Sequence, residues 1–354
     1  MSKSIQLARP EVRNLEPYSA ASYADGLIRL NANETPSAIS SKNTNAMGLN
    51  RYPPEKPQAL TRSLANFYNV EDSELLPTRG SSEAIDLIIR GFCQAGQDAI
   101  VICPPTFGMY KVYADIQGAK VYEVPLIEGN DFALDADELS RNWPQNAKLL
   151  FVCSPNNPTG GSISAEQLNL LATLLSGRAI VVVDAAYTEF SKEDPTYELL
   201  RSRDNDNILI LRTLSKAFGL AGARCGALIG PADIITMLSC LMPPYSFSSP
   251  VIDIVMENLS ADSLVNMQNR VKTIIAERDK LAEELKSITG IEKIYPSDAN
   301  FLLVSSSDAQ RLKNLAKKGG VLIRHFGEKL PGYLRITVGE RSENEQLIRS
   351  LKES

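Results

Sequence analysis

The sequence predicts an α/β fold with a large domain, built on a mostly parallel sheet flanked by helices, and a smaller α+β domain. Short apolar runs of strand length alternate with amphipathic stretches of helical length over the first two thirds of the chain. This alternation is typical of parallel sheets, because each crossover between parallel strands carries a helix. The pattern changes after Pro243-Pro244, where long helical sequence precedes a mixed segment of strands and helices.

Apolar runs of four to eight residues predict the buried strands of the large sheet. They occupy residues 99–103, 148–153, 179–184, 207–212 and 225–229. Apolar residues at helical spacing predict helices over residues 82–93 and 165–175. Residues 250 to about 286 predict long helical sequence. The rest predicts, in order, a strand at 300–304, a helix at 308–318, strands at 321–324 and 333–338, and a helix at 343–352.

These elements divide the chain into three parts. Residues 1–29 have little periodicity and are expected to form an N-terminal arm that packs with the small domain. Residues 30–245 are expected to form the large domain, and residues 246–354 the small domain.

Composition excludes several functional classes. The 354 residues include 37 Lys and Arg against 42 Asp and Glu, a net charge of −5, which argues against a general nucleic-acid binder. The single histidine, His325, excludes a zinc site with several His ligands, and no metal is expected. The five cysteines form no C-x-x-C pair and are expected to be free thiols. No apolar run approaches a membrane span, so a cytoplasmic protein without a membrane partner is expected.

Glycine-marked turns lie at the ends of predicted strands, where α/β proteins place their ligand sites. Gly80-Ser81-Ser82 directly precedes a predicted helix, whose first amides and two hydroxyls suit an anion. Asn157 lies in a turn over residues 154–161, directly after an apolar strand. Taken alone, the first segment is better explained by an ordinary helix cap and the second by an ordinary turn.

An acid and a lysine mark the next two strand ends. Asp184 closes the apolar run Val181-Val182-Val183. Lys216 lies among small and apolar residues, an unusual setting that would lower its pKa and make it a better Schiff-base nucleophile. No P-loop and no G-x-G-x-x-G fingerprint accompanies them.

Taken together and in this order, the segments resemble the fold-type I aminotransferases, which use pyridoxal phosphate. The resemblance covers nearly the whole chain. It is greatest to the branch that acts on L-histidinol phosphate with 2-oxoglutarate and L-glutamate as the other pair. The segments that carry this finer likeness are residues 30–34, 50–53, 103–110 and 334–339.

The resemblance implies roles around the cofactor ring. Lys216 would form the Schiff base and then move the proton, with Asp184 and Tyr187 as the other catalytic residues. Asp184 would pair with the pyridine nitrogen, Asn157 and Tyr187 would donate to the ring oxygen O3′, and Phe107 would stack on the ring. Phe107 replaces a tyrosine that is frequent in the family.

The resemblance also implies an anion site for the cofactor phosphate and a second one for the substrate. The cofactor phosphate would be held by Ser81, Ser82, Thr213, Ser215 and Arg224. Tyr52 would reach the same phosphate from the second subunit, which implies a homodimer. The substrate anion would be bound by Arg335 and Arg324, with Tyr18 and Asn33 lining the site. A structural alternative for Arg324 is a plain surface residue beside His325.

Other functions remain open at this point. An aromatic amino acid aminotransferase or a pyridoxal-phosphate decarboxylase of a phosphorylated amino acid would share nearly all of these motifs. A third alternative is a non-enzymic sensor domain within a regulator. That alternative is disfavoured because 354 residues leave no room for a DNA-binding module beside this fold.

Overall fold

The computed structural model describes residues 2–16, 33, 49–202 and 206–352. In this part of the chain the strands form a seven-stranded sheet, ordered β1-β7-β6-β5-β4-β2-β3, and a four-stranded sheet, ordered β10-β11-β9-β8. The strands are β1 Leu75–Thr78, β2 Ala99–Ile102, β3 Lys120–Glu123, β4 Ala147–Cys153, β5 Ile180–Asp184, β6 Ile208–Thr213, β7 Gly226–Ile229, β8 Ile291–Ile294, β9 Phe301–Ser306, β10 Arg324–His325 and β11 Tyr333–Thr337.

Helices pack on both faces of the large sheet and on the small one. They are α1 Pro10–Arg13, α2 Gln58–Tyr68, α3 Ser81–Phe92, α4 Met109–Gln117, α5 Ala136–Arg141, α6 Ala165–Leu174, α7 Pro195–Ser202, α8 Ala232–Ser239, α9 Ser249–Asn258, α10 Ala261–Leu285, α11 Ala309–Lys318 and α12 Arg341–Lys352. Among the described helices, none has both the length and the apolar character needed to cross a membrane. All five cysteines are free, as expected.

The large sheet is parallel except for β7, which runs antiparallel to both β6 and β1. Successive residues of its central strands enter two different cores. Val181 and Val183 of β5 belong to one core, and Ile180 and Val182 belong to the other. This alternation explains why the central strands are apolar on both faces, and it confirms the predicted sheet with helices on both sides.

The predicted strands of the large sheet match the observed ones to within one residue at each end, but β1, β3 and β8 were not predicted. The missed strands β3 and β8 are mostly exposed or half-buried, so their sequences carry no apolar run. The long helical stretch after Pro250 consists of two helices, because Leu259 and Ser260 separate α9 from α10.

The small sheet is antiparallel, and α11 and α12 pack against it. The strand predicted at residues 321–324 is wrong in extent, since only Arg324 and His325 pair with β11. The amide of Val321 instead donates to the carbonyl of Ala316 at the end of α11, at 2.8 Å. Leu322 is 84% exposed, so the apolar run that suggested a buried strand is partly at the surface.

Residues 2–16 of the N-terminal arm contact the large domain. The prediction that the arm packs with the small domain is therefore wrong for this segment. Ala8 and Val12 are buried in the core beside α3 and α8, and the Arg9 amide donates to the carbonyl of Gly91 at 3.0 Å. The Ser2 hydroxyl donates to Asp233 of α8. Burial of two apolar side chains and several hydrogen bonds therefore fix this segment on the large domain.

Helix α10 belongs to both cores. Met267 and Val271 in its first half are buried with the large sheet, whereas Leu281 and Leu285 in its second half are buried with the small sheet. Helix α9 also packs on the large sheet through Val255. The boundary at residues 245 and 246 stays a prediction, while the packing changes over partway along α10.

Candidate active site

A cavity of about 240 Å³ opens where β4, β5 and β6 end. Parallel strands finish at the same edge of a sheet, and the loops that follow them therefore meet there. The structure brings ten of the predicted site residues into this one cavity. They are Ser81, Ser82, Phe107, Asn157, Asp184, Tyr187, Thr213, Ser215, Lys216 and Arg224.

Asp184 is the buried acid of the cavity and the last residue of β5. Burial raises the pKa of its carboxyl group to about 6, although hydrogen bonds from Tyr110 and the Ala186 amide and the charge of Lys216 oppose the shift. A carboxylate in this position favours a cationic partner, since an opposite charge recovers the free energy lost through desolvation.

Tyr110 is a site residue to which the sequence analysis gave no role. Its hydroxyl donates to Oδ2 of Asp184 at 2.8 Å, and the Ala186 amide donates to Oδ1 at 3.3 Å. The Tyr110 ring stacks on Phe151 with centroids 4.8 Å apart, and Phe107 meets its edge at 5.6 Å. Only its place three residues after Phe107 in the resemblance segment 103–110 could have drawn attention to it.

Asn157 connects two residues that were assigned to different ligands. Its Nδ2 donates to the Tyr187 hydroxyl at 3.3 Å, and its Oδ1 accepts a hydrogen bond from Nη1 of Arg335 at 2.5 Å. Phe301 packs against both Tyr187 and Arg335. It meets the Tyr187 ring edge-on at 5.2 Å, and the centre of its own ring lies 5.3 Å from the Arg335 guanidinium carbon. The predicted substrate arginine is thus bonded directly to the predicted cofactor-binding amide.

Lys216 reaches into the cavity from the loop after β6, and its Nζ lies 5.4 Å from the centre of the Tyr187 ring. Its side chain is exposed to the opening, yet its pKa is lowered. Desolvation by the cavity walls is the main cause, and the positive charges of Arg335 and Arg224 act in the same direction against the charge of Asp184. A lowered pKa increases the neutral, nucleophilic fraction of the amine.

The opposite end of the cavity is suited to an anion. Helix α3 begins at Ser81 after the N-cap Gly80, so its first amides and two serine hydroxyls border the cavity. Thr213 and Ser215 add two further hydroxyls, which are hydrogen-bonded to each other at 3.0 Å. Amides at a helix N-terminus combined with hydroxyl groups are a common way to bind phosphate.

Two glycines allow Arg224 to reach the same end. A Cβ atom on Gly80 would lie 2.9 Å from the Arg224 guanidinium, and one on Gly226 would lie 2.5 Å from the Arg212 carbonyl oxygen. Arg224 has left-handed backbone geometry, with φ of 54°, and its Nη1 lies 3.5 Å from the Ser215 hydroxyl. The sequence analysis identified Arg224 but not the close packing that places it.

Arg324 and Arg335 lie directly opposite each other on β10 and β11, so their side chains share one face of the small sheet. On β11, Leu334 and Ile336 are buried while Arg335 and Thr337 are not, which confirms the predicted alternation. Burial lowers the pKa of Arg335, and the charge of Arg324 lowers it further against the effect of Tyr187. The buried Nε of Arg335 has no hydrogen-bond partner in the described part of the chain.

Four of the described residues that were predicted for the site do not line this cavity: Arg324, Arg335, Tyr52 and Asn33. Tyr52 and Asn33 line a separate surface pocket, where Tyr52 is 51% exposed and stacks on Tyr245 at 4.6 Å. Tyr18 lies outside the described residues. Placement of Tyr52 away from its own cavity is compatible with a role in a second subunit, and the roles of Asn33 and Tyr18 stay predictions.

The cavity fits pyridoxal phosphate in the chemistry of its donors. A buried carboxylate suits a protonated pyridine nitrogen, an amine of lowered pKa suits the aldehyde, and the amides, hydroxyls and Arg224 suit the phosphate. Phe107, half-buried at the edge of the cavity, offers a ring for stacking. No group of three or more His, Cys, Asp or Glu side chains that could hold a metal ion occurs among the described residues.

Asp184→Asn tests whether the buried charge of this acid lowers the stability of the cofactor-free protein. Because its folded-state pKa lies above its unfolded value, the acid contributes stability below about pH 4 that is lost as pH rises through 6. The cofactor-free variant should therefore be more stable than cofactor-free wild type at pH 7.5, by on the order of 2–3 kcal/mol, with little difference at pH 4.

Urea denaturation at pH 4, 5.5 and 7.5 measures this difference. Asp137→Asn is the control, because the Asp137 side chain is 88% exposed and should show no comparable trend. A cofactor-free Asp184→Asn variant that was less stable than wild type at pH 7.5 would contradict the prediction.

The chain is similar to known aminotransferases over most of its length. A model of the family described as "Aminotransferase class I and II" matches residues 26–351. The histidinol-phosphate aminotransferase of Shigella flexneri serotype 5b is 40% identical over 350 residues, covering 98% of this chain and 97% of that protein. A histidine biosynthesis bifunctional protein of Photorhabdus laumondii is 39% identical over 349 residues, 98% of this chain, and the chain spans 42% of its length.

A solved structure supports the fold. The histidinol-phosphate aminotransferase of Sinorhizobium meliloti in complex with pyridoxal-5′-phosphate has a TM-score of 0.75 at 22% identity, covering 86% of this chain and 82% of that one. The predicted fold class is thereby confirmed. The family match over most of the chain, together with the relatives near 40% identity, shows that this protein belongs to the class I and II aminotransferases, enzymes that use pyridoxal phosphate.

Proposed function

We propose that this chain transfers the amino group of L-histidinol phosphate to 2-oxoglutarate, giving imidazole acetol phosphate and L-glutamate in histidine biosynthesis. Relatives of that name, at about 40% identity over almost the full length, support it. The structural observation that carries it is the pair Arg324 and Arg335, opposite each other on β10 and β11. A phosphate has close to two charges and suits two guanidinium groups better than one.

Bound pyridoxal phosphate supplies an electron sink that stabilises negative charge on the substrate carbon next to nitrogen. Asp184 holds a positive charge at the pyridine nitrogen, and Tyr110 orients its carboxylate. Asn157 and Tyr187 orient the ring through its oxygen, and Phe107 covers a ring face.

The Nζ of Lys216 would hold the cofactor covalently and, once released, would accept the proton from the amine-bearing carbon of the substrate. Its lowered pKa favours this role, because a neutral amine is required to accept the proton. The same nitrogen would then donate that proton to the aldehyde-derived carbon of the cofactor. Ser81, Ser82, Thr213, Ser215 and Arg224 anchor the phosphate of the cofactor and so fix the ring relative to Lys216.

The substrate phosphate is bound by Arg335 and Arg324, with Tyr18 and Asn33 as further contributors. The hydrogen bond from Arg335 to Asn157 supports this arrangement, because Asn157 is the residue proposed to contact the ring oxygen. The carboxylate of glutamate or 2-oxoglutarate uses the same arginine in the second half-reaction. Arg335 would therefore serve both substrates, while Arg324 would be specific to the phosphate of L-histidinol phosphate.

The proposal includes a cytoplasmic homodimer with shared active sites. Tyr52 lies outside the cavity of its own chain, half-exposed beside Arg51, Ser248 and Ser249. In a two-fold dimer it would complete the phosphate site of the other subunit.

A panel of amino donors tests the proposed substrate. Purified holoenzyme should show the absorbance change of its cofactor with L-histidinol phosphate at much lower concentration than with L-histidinol or L-phenylalanine, because only the first carries the phosphate. Carbon dioxide release is measured in parallel with phosphorylated amino acids. A response to aromatic amino acids alone would contradict the proposal and support an aromatic amino acid aminotransferase. Release of carbon dioxide would contradict it and support a decarboxylase.

Arg324→Ala tests whether Arg324 binds the substrate phosphate. Loss of a charge-assisted hydrogen bond should lower kcat/KM for L-histidinol phosphate by on the order of tenfold to a hundredfold, and affect L-glutamate much less. Arg341→Ala, an exposed arginine of the same domain that pairs with Glu345, is the control and should change neither. Equal small effects on the two donors would show that Arg324 does not bind the phosphate.

Mixed dimers test the shared site. Lys216→Ala and Tyr52→Ala chains should each be nearly inactive alone, and refolding them together should restore up to about a quarter of wild-type activity, since a hybrid contains one intact site. Steady-state assays of the mixture measure the recovery. Full activity of a diluted monomer, or of the Tyr52→Ala chain alone, would rule out this arrangement.

A further inference from the structure

Arg212 lies at the centre of a buried ionic network behind the active site. It is the residue of β6 immediately before Thr213, and strand alternation points its side chain to the opposite face of the sheet. Its guanidinium is only 4% exposed. Nη1 donates to Asp194 at 2.7 Å and to Thr196 at 2.8 Å, and Nη2 donates to Glu189 at 2.9 Å.

The partners of Arg212 belong to the segment that follows the catalytic acid. Glu189 is two residues after Tyr187, in the short turn that leads away from Asp184. On the other side, Arg212 itself is followed within four residues by Thr213, Ser215 and Lys216. One guanidinium therefore ties the loop after β5 to the loop after β6, and each loop carries residues of the cavity.

This network is an expensive way to gain stability alone. One cation faces two carboxyl groups, and the side chains of Arg212 and Glu189 are almost fully buried while that of Asp194 is partly exposed. Burial raises the pKa of Glu189 despite its bond to Arg212. The Nε of Arg212, one oxygen of Glu189 and the hydroxyl of Tyr68 are buried with no hydrogen-bond partner among the described residues. Apolar side chains of the same volume often stabilise such a position at least as well.

The network does supply geometry. The two terminal nitrogens of a guanidinium are fixed in one plane, so bonds to Asp194 and Glu189 fix both the distance and the angle between their backbones and β6. The Tyr68 ring, 4.8 Å below the guanidinium carbon, holds that plane. A lysine at this position would keep the charge but not the two-pronged arrangement.

We propose that Arg212 is a positioning residue for the transamination site, acting through Glu189 and Asp194 to hold the Tyr187 hydroxyl in place beside Asn157. The proposal rests on the cofactor-binding part of the proposed function and not on the identity of the substrate. Tyr187 is sensitive to small shifts, since its hydroxyl meets Asn157 at 3.3 Å and its ring lies 5.4 Å from Nζ of Lys216.

Arg212→Lys, Tyr187→Phe and the double variant, each as holoenzyme without substrate, test this inference. The readout is the pH midpoint of the absorbance change of the bound cofactor. Arg212→Lys should move the midpoint in the same direction as Tyr187→Phe, by on the order of 0.5 unit. The double variant should move it no further than Tyr187→Phe, because both changes act through one hydroxyl.

Arg9→Lys is the matched control. Arg9 also bridges two groups, Gln94 and the Arg90 carbonyl, but at the end of α3 opposite to the cavity, so its change should lower the melting temperature and leave the midpoint unchanged. An Arg212→Lys enzyme with a lower melting temperature and an unchanged midpoint would make Arg212 purely structural. Additive shifts in the double variant would likewise overturn the proposal. Either result would leave the substrate assignment intact, because that assignment depends on the donor panel.

Discussion

Burial of one carboxylate, Asp184, is the constraint around which the site is organised. A central parallel strand delivers it to the carboxyl edge of the sheet, where helices on both faces exclude water. Such a charge is costly to keep unless it is hydrogen-bonded and faces a cation. Tyr110 and the Ala186 amide meet the first condition, and in the proposed function a protonated pyridine ring would meet the second. The fold and the cofactor would then be linked energetically, since the ligand would offset a cost built into the sheet.

The charge of the whole molecule and that of the site have opposite signs. The chain carries a net charge of −5. In the cleft, however, the positive charges of Arg224 and Arg335 are close enough to Lys216 to affect its pKa. Mutual repulsion among these cations helps to lower the pKa of Lys216. An anionic ligand relieves that repulsion, so each phosphate or carboxylate that binds also changes the basicity of the amine. Local arrangement, and not net charge, decides which ligands this protein attracts.

Much of the fold and of the candidate site could be predicted from sequence, for reasons visible in particular residues. Buried strands such as β5 are apolar on both faces; Asp184 is the last residue of such a strand, and Lys216 lies three residues after another. Exposed strands such as β3 lack this signal, and Val321 to Ile323 mimic it without being a strand. Tyr110 and Arg212 were assigned no role because their importance lies in contacts with residues 74 and 18 positions away, respectively, which no local pattern encodes. The arm was misplaced because Ala8 and Val12 are apolar without indicating which core they join.

Helix α10 gives the molecule a mechanical property that follows from its length. Its 25 residues extend roughly 37 Å, with one half fixed in the core of the large sheet and the other in that of the small sheet. A stiff rod clamped at both ends transmits rotation: a tilt of about 5° at one end displaces atoms some 25 Å away by roughly 2 Å. That distance separates a made hydrogen bond from a broken one. The Arg335–Asn157 hydrogen bond joins the small sheet to the loop after β4, so its length depends directly on the angle that α10 sets between the two sheets.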